Sequence, residues 1–154
     1  SRYVAEGDAF VDGLTVSVSK GTWIHLDGNP IEVTATGTLY GPFDEQPAEA
    51  DTPPAGALVA GVETVTLTGA GSYTSPGTII APESGFYTWV WAIDKDAHGD
   101  HAKYLTDSFT DRYGQVTETS VVPFQPPVRP TKTNWSLPLT NTKWLPVLWE
   151  HRNL

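Results

Sequence analysis

Between Gly85 and Ile93 the chain reads Gly-Phe-Tyr-Thr-Trp-Val-Trp-Ala-Ile, and this stretch restricts the fold more than any other. At a period of two, Tyr87, Trp89, Trp91 and Ile93 share one face, while Phe86, Thr88, Val90 and Ala92 share the other. Aromatic and β-branched side chains favour the pleated, extended backbone. Apolar groups on both faces predict a central strand of a packed sheet rather than an edge. Were the Tyr87–Trp89–Trp91 face exposed it would make a platform for stacking sugars, but alternating aromatics on a central strand favour the core reading.

The rest of the chain is organised as strands and turns around this one. Leu14, Val16 and Val18 alternate with Thr15, Ser17 and Ser19, predicting a half-buried strand over Phe10–Ser19. Asp27-Gly28-Asn29-Pro30 is a strong turn signal. Ile31–Tyr40 alternates again and is expected to end at Gly41-Pro42. The acidic, Pro-rich stretch Asp44–Ala57 reads as a long loop at one end of the domain. Val62–Thr68, Ser72–Thr74 and Gly77–Ala81 read as extended, Asp94–His101 as a polar loop, and Gln115–Phe124 as the last strand. Ala102–Thr110 suits either a helical turn or a short strand. The fold class expected is all-β, an immunoglobulin-like two-sheet β-sandwich of about six to seven or more strands. The domain is expected over residues 1–127.

Residues 128–154 differ in character. Thr133–Leu139 and Thr142–Leu148 echo one another, each with a Trp, and Pro138 and Pro146 argue against a continuous helix. The segment reads as a linker, the start of a following repeat or a non-native tail; alternatively, its Trp and Leu side chains dock on a protein surface.

Composition excludes several classes of function. A net charge of −9 offers no basic face to nucleic acid or to an anionic membrane. No Cys is present, so there is neither a disulfide framework nor a thiolate metal site. No apolar run reaches the roughly 18–20 residues of a membrane span. With no Met and with Ser1 first, the chain is expected to be a piece of a longer, exported protein.

Sequence motifs for phosphate-binding loops, nucleophile elbows and zinc proteases are absent. Two constellations remain. Asp94, Asp96, His98, Asp100 and His101 crowd one loop, where alternating carboxylates can bind Ca²⁺ and His with Asp can bind Zn²⁺. The loop lacks the Glu that closes a helix–loop–helix calcium site, so a solvated loop is the preferred reading and no metal or other cofactor is expected. In the other, Thr15 lies on the first expected strand and Gln115 begins the last. A Thr hydroxyl beside a Gln amide can attack it, expel ammonia and leave an ester, given a base, an acid and exclusion of water. Asp12, Asp111, His98, His101 and Glu118 are the candidate assisting groups. Against this, Thr is a common strand residue and Gln a common surface one.

Taken together, Thr38-Leu39-Tyr40-Gly41-Pro42-Phe43, the acidic loop, Gly69-Ala70-Gly71-Ser72-Tyr73, Gly85–Trp91 and Glu118-Thr119-Ser120 resemble repeat domains of large cell-wall-anchored adhesins of actinobacteria. The resemblance spans Ser1–Pro127. It implies an extracellular stalk domain, monomeric, non-catalytic beyond one self-modification, whose partners are neighbouring tandem repeats, with any host ligand bound by other domains. Related Gram-positive adhesins carry self-formed Thr–Gln esters between first and last strands, aided by acid and His residues. Here one more residue separates Asp111 from Gln115 than in that pattern, the histidines lie further away, and Thr15 takes the nucleophile's role by strand position. A Lys–Asn crosslink from Lys20 lacks an Asn in the last strand. A carbohydrate-binding module and an accessory domain of an extracellular hydrolase are the alternatives.

Overall fold

Alternation at period two makes each long strand two-sided, and the two sides of the longest strands meet different surroundings. The computed structural model describes residues 2–124. The strands are β1 (Arg2–Tyr3), β2 (Gly13–Val16), β3 (His25–Leu26), β4 (Asn29–Pro30), β5 (Val33–Phe43), β6 (Val59–Leu67), β7 (Gly71–Thr74), β8 (Gly85–Ile93), β9 (Phe109–Thr110) and β10 (Thr119–Val122). The fold is β-rich, as expected. The residues expected beyond Phe124, including all of 128–154, lie outside the described residues.

The main sheet has the order β1-β10-β8-β5-β6, with β9 also paired to β8. Its pairs are antiparallel except β1 with β10, which run parallel with Arg2 opposite Ser120 and Tyr3 opposite Val121. β8 is central, as its two-sided pattern predicts: Tyr87, Thr88, Trp89, Val90 and Trp91 are all buried. One face joins Tyr87, Trp89 and Trp91 to Val33, Ala35, Leu39, Val65, Leu67 and Phe10 in the core. Gly37 has a steric reason, since a Cβ there would stand 2.6 Å from the Trp91 ring. The indole of Trp91 therefore lies directly over the β5 backbone.

Two smaller pairs complete the described residues. β2 pairs with β7, and Leu14, Val16 and Tyr73 pack against the core. β3 and β4 form a tight hairpin around Asp27 (φ 52°) and Gly28 (φ 80°), the left-handed pair that a two-residue turn demands.

The first expected strand is divided. Phe10–Ser19 is regular only over Gly13–Val16, while the residues before it are held by backbone bonds to a different segment. Phe10 N–H donates to Ile79 O (2.8 Å) and Ser75 N–H to Asp12 O (2.8 Å). The segment expected as a strand over Gly77–Ala81 makes only an isolated bridge, Ile80 to Ala9. β5 does not stop at Gly41-Pro42: a shift in its register on β8 between Tyr40 and Phe43 absorbs the irregularity and pairing resumes at Phe43. Gln115–Phe124 is not one strand either, because a 3-10 turn fills Val116–Glu118 before β10 begins. Asp94–His101 is more ordered than a plain loop, forming 3-10 turns over Lys95–Tyr104 broken at Gly99. Ala102–Thr110 contains both options, the end of those turns and then β9.

Candidate functional site: a carboxyl cluster at Trp91

Along its edge toward the chain's end, β8 is paired twice: with β9 at Ala92–Ile93 and with β10 at Gly85–Thr88. Between them the chain leaves the sheet over residues 111–118, so on this edge Trp91 has no regular strand partner, while on the other it pairs with Gly37 of β5. Asp111 stands in on the open edge. Its N–H donates to Trp91 O (2.9 Å), and its Oδ2 accepts from Trp91 N–H (3.3 Å). The excursion then returns through the 3-10 turn ending in Glu118.

From the facing side comes Asp12, a carboxylate only 5 % exposed. Oδ2 accepts from Trp91 Nε1–H (2.9 Å), and Oδ1 accepts from the Arg2 guanidinium (2.8 Å). Arg2 also donates to Val11 O (2.9 Å). The Asp12 N–H donates to Ser75 Oγ (2.9 Å), so backbone and side chain are both fixed. Burying a carboxylate is costly unless it is paired and hydrogen-bonded, and Asp12 is both.

Glu118 joins Asp12 and Asp111 in lining one groove. Burial, then the charge of Asp12, then the charge of Asp111 push its carboxyl up to about 7, with Arg2 pulling the other way. Burial also raises Asp111, with the Trp91 N–H opposing and the Asp12 charge reinforcing. That groove, of about 850 Å³, is also lined by Thr15, Trp23, Leu67, Tyr104 and Leu105.

The expected assisting acids Asp12, Asp111 and Glu118 thus meet, and Thr15 lines the same groove. Gln115 does not line it. Gln115 precedes the 3-10 turn without a side-chain cap, and its carbonyl accepts from Thr119 Oγ1 (2.7 Å). Thr15 pairs with Ser72 across β2 and β7. A Thr–Gln contact does occur elsewhere: Gln46 Nε2 donates to buried Thr119 Oγ1 (3.1 Å) and to Gly114 O (3.0 Å).

The histidines lie apart from the carboxyl cluster. His98 Nε2 accepts from Thr34 N–H (2.9 Å) and Nδ1 donates to Asp94 O (2.6 Å), an arrangement that specifies the Nδ1–H tautomer. His101 lies beside Tyr104, with ring centroids 6.2 Å apart. Asp94 caps the 3-10 turns by accepting from Asp96 N–H (3.0 Å), while Asp96 and Asp100 are exposed. Among the described residues no three His, Asp or Glu side chains are grouped to hold a metal ion.

Compared with protein families, with curated proteins and with solved structures, the chain matches none.

Sequence reasoning missed Arg2 and Trp91 as members of the cluster. Arg2 is the only cation in the polar lead-in before Asp12, which was a usable signal. Trp91 reads as core from its pattern and is core; that its N–H also serves a carboxylate is not visible in the pattern.

Proposed function

We propose that this is a load-bearing spacer domain of a bacterial surface adhesin, extracellular and non-catalytic, joined to like domains at its two ends. In this reading the main sheet and the β2–β7 pair are the two layers of an immunoglobulin-like sandwich, an assignment supported by Leu14, Val16 and Tyr73 packing on the core. The parallel pairing of β1 with β10 is the observation that carries the functional reading. In a parallel pair of terminal strands, the chain enters at one end of the pair and leaves at the other. Tension between the termini slides the strands past each other and loads their bonds together instead of one at a time.

Pulling the full chain by its termini between marker domains tests this, since forced unfolding reports the unfolding barrier directly. Terminal pulling is expected to need clearly more force than pulling from Gly28, in the β3–β4 turn, and the C-terminus. Equal or lower force under terminal pulling overturns the spacer reading. Burial of Tyr87, Trp89 and Trp91 takes away the aromatic platform on which the carbohydrate-binding alternative relied. A Thr15–Gln115 ester belongs to the same proposal, supported by the three carboxyls around the groove that Thr15 lines. Ester formation from an amide expels ammonia, so the intact mass would fall by roughly 17 Da. An unshifted mass removes the ester and leaves the spacer.

A further inference from the structure

We propose that the groove beside β2 is a docking slot for an extended segment of another protein, one with apolar side chains at alternate positions and a Lys or Arg on the same face to meet Asp111 and Glu118. This surface goes beyond the spacer reading and does not depend on it.

The first observation is a strand with one side unused. β2 pairs with β7 and with no other strand among the described residues. Past Val16 even that pairing stops: among the described residues, residues 17–22 form no backbone hydrogen bond with the rest of the chain. Every residue from 12 to 20 lines the groove. Successive side chains of a strand point to opposite faces, so a groove lined by all of them runs along the strand's edge and not over one face. Unpaired N–H and C=O groups on such an edge are a template for a further strand.

The second is apolar surface left half covered. Leu14, Val16, Trp23, Ile93, Tyr104 and Leu105 line the groove and pack against the core, yet each keeps part of its surface in water. A strand laid beside β2 would turn alternate side chains toward them and finish that burial. The groove's volume of about 850 Å³ lies within the range of clefts that hold ligands.

The third is charge. The charged side chains lining the groove are Asp12, Asp107, Asp111 and Glu118 against Lys20 alone. Asp12 is already paired with Arg2, whereas Asp111 and Glu118 form no ion pair among the described residues. A cation brought by the occupant would answer both carboxyls at once. The same excess of acid repels an acidic segment, so the groove discriminates between partners by their charge.

Isothermal titration calorimetry on the full chain tests the slot. The probe is the blocked peptide acetyl-Lys-Thr-Val-Thr-Val-Thr-Lys-amide. It puts Lys and Val on one face and offers a Lys to the acids in either strand direction. Two companions carry Gln or Glu at both ends. The Lys-ended probe is expected to bind at least about tenfold more tightly than the Glu-ended one, the least that a hydrogen bond to a charged group supplies. In Glu118→Gln its affinity should fall severalfold, with the Gln-ended probe unaffected. On saturation, NMR amide shifts should fall on Gly13, Thr15 and Ser17. The Gly41 amide, bonded to Leu58 O (2.9 Å), is the internal control. No binding at about 1 mM Lys-ended probe, equal affinity for the Lys- and Glu-ended probes, or shifts that avoid β2 would each overturn the slot. Should the variant fail to fold, the three probes on the parent chain decide by themselves. Peptide binding bears on the groove and terminal unfolding force on the spacer, so either can fail while the other stands.

Discussion

Trp89 and Trp91 stand two residues apart on the same face of β8, stacked at 5.3 Å with 18° between their planes, yet they do different work. Trp89 is wholly buried, and its Nε1–H finds no acceptor among the described residues. Its contribution is area and contact. Trp91 lies over Gly37 and donates to Asp12, so its ring serves the core while its N–H serves the carboxyl cluster. The comparison separates two ways in which one strand organises a fold. An apolar ring needs only to be enclosed by neighbours of the right volume. A ring with a charged partner also requires Asp12, Arg2 and Ser75 to be correctly placed.

Truncation is the coarsest way to test the difference and has the largest effect. Trp89→Ala and Trp91→Ala are each expected to cost about 3–5 kcal/mol, the range for removing a large aromatic side chain from a packed interior. Urea unfolding followed by far-UV circular dichroism measures it. A loss under about 1 kcal/mol at either position would contradict their shared place in the core.

A milder exchange separates the two residues. Trp89→Phe sheds ring volume and an unpartnered donor, whereas Trp91→Phe also leaves buried Asp12 without one of its donors. Trp91→Phe should therefore be the more damaging by about 1.5–3 kcal/mol, the usual worth of a hydrogen bond to a charged group. Equal losses in the two Phe variants would break the distinction and show that the Asp12 bond adds nothing beyond packing.

The same division explains what could be read from the chain. β8 was legible to the residue, because a nine-residue run rich in aromatic and β-branched side chains, led in by Pro82 and Gly85, favours a strand over a helix. The middles of β5 and β6 were legible from their alternation. Their ends were not, because Gly41-Pro42 is absorbed by a register shift with β8, a property of the pairing and not of the residues. Phe10–Ser19 misled because the residues before Gly13 make their backbone bonds without forming a ladder. In the candidate site the acids Asp12, Asp111 and Glu118 were identifiable as types, but their meeting depends on the excursion between β9 and β10. No local pattern announces that excursion. Pairing Thr15 with Gln115 assumed that Phe10–Ser19 lies beside the last strand. It is the two-residue β1 that does so, and two residues are too few for an alternation signal.

A second ionic group shows what the enclosed cluster gains from burial. Arg112 bonds Glu49 (3.1 Å) and Asp51 (3.2 Å) and so pins the acidic loop to the excursion, next to the paired backbone bonds between Ala50 and Tyr113. Its side chain is 54 % exposed and that of Asp51 is 92 % exposed, against 8 % for Asp12. Water solvates these exposed charges almost as well unpaired as paired, and salt screens them. Arg112→Ala should accordingly cost less than about 1 kcal/mol, and the cost should shrink further in added salt. The Ala50–Tyr113 bonds and the contacts of Tyr113 with Tyr40 and Phe43 remain to hold the loop. A loss as large as that of Trp91→Phe, unaffected by salt, would mean that exposure does not distinguish the two ionic groups.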